Sequence, residues 1–157
     1  MQLGLMADSH DNLDALEYWV DYFEQAGVDV LIHAGDLISP FTVPVLSQFP
    51  GPVDAVYGNN DGDRETLKSK AQGDDVTFRD PPTTLDLTEC TLELAHKPSA
   101  LSAEPAENLD LRVHGHTHER RWESNGSVPV VNPGESGGWL SGTSSALTVR
   151  TNGDELD

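Results

Sequence analysis

Short apolar runs recur through the first half of the chain, and each is followed by Gly, Asp or Asn. Runs of this length that stop at turn residues are typical of buried strands. Three strands are predicted here, over residues 2–7, 28–34 and 53–57. Between the first two runs, apolar residues from Leu13 to Phe23 recur every three or four positions. This spacing predicts a helix that Asn12 caps and Gly27 ends.

Two shorter helices are predicted over residues 42–49 and 63–71. Pro44 lies near the start of the first of them. A proline is tolerated there because the first helical turn needs no backbone N–H donor. The second is polar and offers few apolar positions for burial.

After residue 75 the pattern changes to short apolar or alternating segments separated by turn residues, as in strands. Asn125-Gly126 is a strong hairpin signal, whereas residues 98–108 show no helical stripe and are predicted to form a loop or a marginal turn of helix. The predicted strands are 76–78, 83–87, 91–96, 111–114, 121–123, 127–131 and 146–150. The order βαβαβα followed by strands predicts one α/β domain over residues 1–157.

The 157 residues include 27 Asp and Glu against 9 Lys and Arg, a formal net charge of −18. Such a surface repels the phosphate backbone, so we do not expect sequence-general nucleic-acid binding. The carboxylates are spread along the whole chain, which favours adaptation to high salt over a docking face for a basic partner. At molar salt the screening length falls to about 3 Å. We therefore expect a halophilic source.

The composition also bears on location. No stretch approaches the roughly 20 apolar residues of a membrane helix, and the N-terminus reaches Asp8 too early for a signal peptide. Cys90 is the single cysteine, which excludes an intrachain disulfide and a cysteine cage for metal. A cytoplasmic protein without a membrane partner is predicted. The oligomeric state stays open, a homo-oligomer included.

Polar side chains that can bind a metal ion follow five of the predicted strands. In open α/β sheets, ligands gather beyond the carboxyl ends of strands. On an extended backbone, a spacing of two directs both members of a pair such as Asp8 and His10 to one side. Carboxylates and imidazoles without thiolates suit Mn²⁺, Fe²⁺, Ni²⁺ or Zn²⁺. The seven candidate ligands are Asp8, His10, Asp36, Asn59, His96, His116 and His118.

Each segment alone has a simpler explanation. Asp8-Ser9-His10 and Gly35-Asp36 are also typical of turns, and a lone His96 is typical of a strand end. Gly115-His116-Thr117-His118 is more specific, because paired imidazoles at a glycine turn are uncommon outside metal sites. Since five such segments follow strands in order, a shared metal site is the better hypothesis.

Together these segments resemble the motifs of the calcineurin-like metallophosphoesterases. The short chain and Asn132-Pro133-Gly134 are similar to the YfcE-type phosphodiesterase branch, and the resemblance extends over nearly the whole chain. It implies a four-layer α/β-β/α sandwich of two mixed sheets, with two divalent transition metal ions, Mn²⁺ foremost, between the sheet ends. The matching motifs are Asp8-Ser9-His10, Gly35-Asp36, Gly58-Asn59-Asn60-Asp61, His96 and Gly115-His116-Thr117-His118.

The resemblance also implies the ligand sets and the reaction. The first ion is assigned to Asp8, His10, Asp36 and His118. The second is assigned to Asp36, Asn59, His96 and His116, with Asp36 bridging. The implied reaction is hydrolysis of a small phosphodiester by a hydroxide held between the two ions. The candidate catalytic residues are His10, Asn60 and Asp61.

Three features depart from the family pattern. Asn60 stands where many relatives have His and the similar branch often has Cys, and an amide is not a useful acid near pH 7. We therefore expect either that activated leaving groups are favoured or that His10 or a water supplies the proton. His96-Lys97-Pro98 replaces the common His-Gly-His, and residues 98–110 are a short polar segment where relatives carry a helix.

A binding function is the alternative. Vps29-like relatives keep this fold as a protein-interaction scaffold, and Asn60 together with the altered loop after His96 favours that hypothesis. A sensor that binds nucleotide phosphates without turnover is a third. The complete set of seven ligands favours a phosphoesterase. His33 and His114 lie in strands and are predicted to pack rather than to bind metal.

Overall fold

The computed structural model of the chain describes residues 1–73, 75–124 and 126–151. The helices in these ranges are α1 (Leu13–Gln25), α2 (Val43–Leu46) and α3 (Arg64–Lys70), with 3₁₀ turns at Pro40–Thr42 and Pro98–Ala100. The strands are β1 (Gln2–Met6), β2 (Val30–His33), β3 (Val53–Val56), β4 (Val76–Arg79), β5 (Thr83–Asp86), β6 (Thr91–Leu94), β7 (Leu111–Val113), β8 (Arg121–Glu123), β9 (Val130–Asn132) and β10 (Leu147–Arg150). Every predicted element is present. Asn125, in the predicted hairpin turn, lies outside the described residues.

The strands form two mixed sheets of five, which confirms the predicted fold class. The first sheet has the order β10-β1-β2-β3-β4, with β1 to β4 parallel and β10 antiparallel to β1. The second has the order β5-β6-β7-β9-β8, with β6, β7 and β9 parallel and an antiparallel strand at each edge. Parallel neighbours present their carboxyl ends at the same edge of a sheet, so loops that follow them lie side by side.

Side chains cap the first turns of α1 and α3. Asn12 accepts a hydrogen bond from the backbone N–H of Ala15 at 3.3 Å, and Asp63 accepts one from Thr66 at 3.2 Å. No helix within the described ranges is long and apolar enough to cross a membrane. The connection from β6 to β7 contains only the 3₁₀ turn Pro98–Ala100, in agreement with the predicted loop.

Two hydrophobic cores hold the layers together. Along β1, Leu3 and Leu5 belong to the core between the sheets, whereas Met6 packs with the helices. The core between the sheets also contains Val30, Ile32, Leu92, Leu94, Leu111, Val113 and Val131. Full burial of one such aliphatic side chain contributes about 1.5–3 kcal/mol. This core therefore fixes the strand ends of one sheet against those of the other.

Candidate metal centre

The predicted ligands lie where the two sheets bring their strand ends together. In the first sheet, three loops leave β1, β2 and β3 at one edge, and in the second sheet, loops leave β6 and β7. The packed sheets place these five loops against one another. The loops carry all seven predicted ligands, namely Asp8, His10, Asp36, Asn59, His96, His116 and His118.

One group of donors surrounds Asp8. The ligand atoms of Asp8, His10 and His118 all lie within 4.8 Å of one another. Oδ1 of Asp8 is 3.9 Å from Nε2 of His10 and 3.7 Å from Nε2 of His118. Its other oxygen, Oδ2, accepts a hydrogen bond from the backbone N–H of His116 at 2.9 Å, which fixes the orientation of the carboxylate.

A second group surrounds Asp36. Oδ2 of Asp36 lies 3.4 Å from Nε2 of His96 and 3.8 Å from Nε2 of His10, so this oxygen faces imidazoles of both groups. Oδ1 of Asn59 is 3.1 Å from Nε2 of His96. The His116 ring lies edge-on to the His96 ring, with 5.1 Å between their centroids. All seven side chains thus belong to one continuous cluster.

The backbone that presents these side chains is left-handed rather than extended. φ is 53° at Asp8, 45° at His10, 69° at His116 and 61° at His118. The side chains converge as predicted, but the predicted cause, alternation along an extended backbone, is wrong. Each residue other than glycine that adopts this conformation costs roughly 1–2 kcal/mol. Strain of this kind concentrates at functional sites, where the surrounding structure enforces it.

Two glycines allow the loops to approach one another. A Cβ atom at Gly58 would overlap the carboxylate of Asp36. A Cβ atom at Gly115 would lie 2.9 Å from Oδ2 of Asp8. A side chain at either position would displace a carboxylate of the cluster.

Three buried polar atoms at the centre have no hydrogen-bond partner within the described ranges. They are Oδ1 of Asp8, Nε2 of His10 and Nδ1 of His118. Buried polar groups are ordinarily satisfied, so each exception needs an explanation. A cation that accepts lone pairs from the carboxylate and the imidazoles would satisfy the first two together. The donor set of this structure therefore fits a divalent metal ion.

The tautomer of His96 is fixed by the backbone. Nδ1 of His96 lies 2.8 Å from the carbonyl oxygen of Ala34, and a carbonyl only accepts, so Nδ1 carries the proton. In the neutral ring, Nε2 then directs its lone pair towards Asp36 and Asn59. Burial lowers the pKa of His96, but the hydrogen bond to Asp36 and the contact with Ala34 outweigh burial and raise it. A bound cation would replace the second proton, which Nε2 carries when the ring is charged.

Asn60 donates two hydrogen bonds to Asp36. Its backbone N–H reaches Oδ1 at 2.9 Å, and Nδ2 reaches Oδ2 at 2.7 Å. Burial raises the pKa of Asp36, but the hydrogen bonds from His96 and Asn60 outweigh it and hold the pKa well below its usual range. His96 and Asn60 together therefore keep Asp36 ionised.

Burial shifts the pKa values of Asp8, His10 and His116, upwards for the carboxyl group and downwards for the imidazoles. It raises the pKa of Asp8 to about 6. It lowers the pKa of His10, and it lowers that of His116 with help from the positive charges of His96 and Lys97. His10 and His116 are therefore neutral near pH 7, the state in which an imidazole binds a metal ion.

Asp61 connects two loops of the site. It is 3% exposed, and its oxygens accept hydrogen bonds from the backbone N–H groups of Asp36, Ile38 and Gly58 at 3.1, 2.7 and 2.6 Å. Both carboxylate oxygens are occupied. These contacts favour a positioning role for Asp61 over the predicted catalytic role.

Glu135 was not predicted from the sequence. It is fully buried, and its Oε2 lies 3.3 Å from Nδ1 of His118. The backbone N–H groups of Leu140 and Ser141 donate to Oε1 and Oε2 at 2.9 and 2.6 Å. Burial raises the pKa of Glu135, but hydrogen bonds, chiefly from Ser141 and Leu140, lower it to about 2. The available signal was its position directly after Asn132-Pro133-Gly134.

The two histidines predicted to pack do so. His33 is fully buried; the N–H of Gly35 donates to its Nδ1 at 3.2 Å, so in the neutral ring Nε2 carries the proton and donates to Oγ of Ser9 at 3.0 Å. This contact supports the loop after β1 from behind. Nδ1 of His114 lies 2.9 Å from the carbonyl oxygen of Gly115.

Comparison with known proteins identifies similar sequences. Residues 1–154 match the profile of the calcineurin-like phosphoesterase superfamily domain. The phosphodiesterase MJ0936 of Methanocaldococcus jannaschii is 32% identical over 146 residues, which cover 90% of this chain and 88% of that protein.

Solved structures show the same fold. An archaeal phosphodiesterase superposes with a TM-score of 0.89 at 30% identity, covering 100% of this chain and 98% of that chain. The phosphoesterase YfcE from E. coli superposes with a TM-score of 0.68 at 26% identity, covering 87% of this chain and 80% of that chain. A single mutant of Vps29 from Entamoeba histolytica gives 0.72 at 18% identity, covering 99% and 89%, which shows a shared fold alone.

Proposed function

The chain belongs to the calcineurin-like phosphoesterase superfamily and is a metal-dependent phosphoesterase, and we propose that it hydrolyses a small phosphodiester with two divalent metal ions. The observation that carries the proposal is the position of the Asp36 carboxylate. Its Oδ2 faces the imidazoles of His10 and His96, one from each donor group. A carboxylate between two cations offsets their mutual repulsion.

The proposed first ion is held by Asp8, His10, Asp36 and His118. The proposed second ion is held by Asp36, Asn59, His96 and His116. When bound, such a pair of ions acidifies water and neutralises charge on the phosphoryl oxygens. Mn²⁺ is the proposed metal because the set combines carboxylate, amide and imidazole donors without a thiolate, and Ni²⁺, Fe²⁺ and Zn²⁺ share that preference.

The residues of the chain prepare this site before the substrate arrives. Hydrogen bonds from His96 and Asn60 keep Asp36 ionised, and burial keeps His10 and His116 neutral. The backbone N–H of His116 orients Asp8. Because these groups are already desolvated and fixed, little reorganisation is needed at the moment of reaction.

Asn60 defines the limits of the proposed chemistry. Its side chain is bonded to Asp36, and an amide cannot protonate a leaving alkoxide near pH 7. Since His10 is neutral near pH 7 and is a proposed metal ligand, the leaving group must depart with its own negative charge or receive a proton from water. We propose that esters of acidic alcohols and phenols react fastest.

The substrate class follows from charge and from similarity. The relative MJ0936 is a phosphodiesterase, which supports a diester as substrate. A net charge of −18 opposes a long polyanion such as DNA or RNA, so the proposed substrate is a small molecule.

The direct experiment compares bis-p-nitrophenyl phosphate with p-nitrophenyl phosphate in Mn²⁺ and in EDTA. We expect Mn²⁺-dependent release of nitrophenol, faster from the diester, and none from Asp36→Asn, which should also weaken metal binding. Lys68→Gln, on the exposed surface of α3, is the control and should retain the wild-type rate. Metal binding without turnover of either ester would favour the Vps29-like scaffold or a sensor.

A further inference from the structure

A cleft opens beside the metal centre on the side of Asn59 and His96. Its volume is about 190 Å³, and both of these residues line it. They also belong to the donor cluster, so a substituent that leaves the cluster on this side enters the cleft. The cleft lies between the first sheet, through the loop after β3, and the second sheet, through the loop after β6.

The walls of the cleft are flat and largely apolar. Tyr57 is stacked on Phe78, with ring centroids 5.4 Å apart and 16° between the planes. The guanidinium of Arg64 lies 4.9 Å from the centroid of the Tyr57 ring. Pro81 and Ala100 complete the lining. An apolar cavity of about 150 Å³ holds a benzene ring, so one aromatic ring fits this cleft.

The half-exposed arginine in this wall is held by two hydrogen bonds and by an ion pair with Asp80, whose Oδ1 lies 3.7 Å from Nη1. Nη2 of Arg64 donates to the carbonyl oxygen of Gly58 at 3.2 Å, and Nε donates to that of Asp61 at 3.3 Å. A fixed guanidinium plane beside an aromatic face is a surface on which a planar group stacks. The cleft is thus shaped before any ligand enters it.

Lys97 brings a positive charge to the same cleft. It directly follows His96 and lines the cleft, and within the described ranges it forms no ion pair. The arginines within strands β7 and β8 are paired, since Arg112 contacts Glu93 at 3.0 Å and Arg121 contacts Glu123 at 2.6 Å. In so acidic a protein, an unpaired cation beside the site favours an anionic group there.

A second cavity lies beside the metal centre on the side of His118. Its volume is about 320 Å³, and it is lined by Arg120, Ser141, Thr143 and Ser144 and also by Trp19 and Ala146. Because this lining mixes polar and apolar side chains, it does not select one kind of substituent.

We propose that the cleft lined by Tyr57, Arg64 and Ala100 is the subsite for an aromatic ester substituent, so that the substrates are aryl or pyrimidine-nucleoside phosphodiesters. Lys97 contacts a phosphoryl oxygen at the entrance of this cleft. The inference rests on the proposed function, because it assigns the phosphoryl group to the metal centre.

The test fills the cleft and varies one ester group. Ala100→Phe is compared with wild type on phenyl p-nitrophenyl phosphate and on methyl p-nitrophenyl phosphate, which share a leaving group. Ala103→Phe, exposed in the same loop and outside the cleft lining, is the control. Ala100→Leu is the smaller substitution if the Phe variant does not fold.

We expect kcat/KM of Ala100→Phe to fall at least tenfold for the phenyl ester, with Ala103→Phe unchanged. A loss on the phenyl ester alone assigns the cleft to the retained group, and an equal loss on both esters assigns it to the leaving group; either supports the subsite. Unchanged kcat/KM on both esters overturns it. Lys97→Gln is expected to raise KM for both esters several-fold with little change in kcat.

Binding gives a readout that does not depend on turnover. Diphenyl phosphate has a poor leaving group, since phenols of the tyrosine type have a pKa near 10, so it serves as a ligand. Saturation-transfer NMR should show its ring protons in contact with the Zn²⁺-loaded wild type and with Ala103→Phe, but not with Ala100→Phe. Ring contact without hydrolysis of any ester would support the subsite and contradict the proposed function. Hydrolysis without ring contact would support the proposed function and contradict the subsite.

Discussion

Replacing Glu135 by Gln removes one buried charge and almost no volume. In the wild type, each carboxylate oxygen accepts a hydrogen bond from a different backbone N–H, that of Leu140 or Ser141. A Gln side chain has one acceptor oxygen, so its NH₂ group would face the second N–H donor. The change therefore leaves one partly buried N–H donor without its acceptor and withdraws the negative charge from beside His118.

The magnitude follows from the pKa of Glu135. It falls from 4.5 to about 2 on folding, and at 1.36 kcal/mol for each pKa unit this corresponds to roughly 3 kcal/mol of stability. Because the folded-state pKa is the lower one, this stabilisation is present above about pH 4.5 and is lost as the pH falls towards 2. Removal of a carboxylate behind a metal-binding histidine also costs about 10–100-fold in metal affinity or activity.

Urea unfolding of metal-free protein at pH 7 and at pH 3 measures the first effect. Glu135→Gln should be about 3 kcal/mol less stable than wild type at pH 7, with a smaller difference at pH 3. Glu107→Gln makes the same charge change on the exposed surface and should differ little from wild type at either pH. A destabilisation of Glu135→Gln that is absent at pH 7, or equally large at both pH values, would refute the reasoning.

Three further predictions concern the proton, the leaving group and salt. Because burial raises the pKa of Asp8 to about 6, a proton competes with the metal below that value. Calorimetric titration should show the Mn²⁺ affinity falling at least tenfold for each pH unit below 6. Asn60→His should accelerate the hydrolysis of diesters with poor leaving groups more than that of nitrophenyl esters. If the rate depends on leaving-group pKa as it does in the wild type, the lack of an acid at position 60 does not limit the reaction. Thermal unfolding should show midpoints that rise from low salt to molar KCl, since screening relieves repulsion among the carboxylates; flat midpoints would contradict a halophilic origin.

The sequence predicts the elements well because local signals agree with the fold. Asn12 and Asp63 cap helices, and each apolar run becomes a strand whose burial matches its pattern. The placement of ligands after strands also predicts that they meet, because parallel strands end at one edge of a sheet. The elements thus follow from short segments of sequence, and the meeting of the candidate ligands follows from the parallel arrangement of the strands.

The details of the site depend on contacts across the fold. Glu135 lies 17 residues after His118, and nothing in its own segment reveals that it is buried against that imidazole. The φ angles at Asp8 and His116 are positive, a conformation that Asp and His adopt more often than most residues but that no pattern along the chain indicates. The cleft beside Tyr57 joins residues of both sheets, so periodicity along the chain gives no sign of it.

The most direct test of the account measures turnover of bis-p-nitrophenyl phosphate against the number of Mn²⁺ ions added per metal-free chain, at protein concentrations well above the dissociation constants. A site built around a shared Asp36 predicts that the rate rises until two equivalents are present and then stays level. A rate that reaches its plateau at one equivalent, or no turnover with two ions bound, would contradict it.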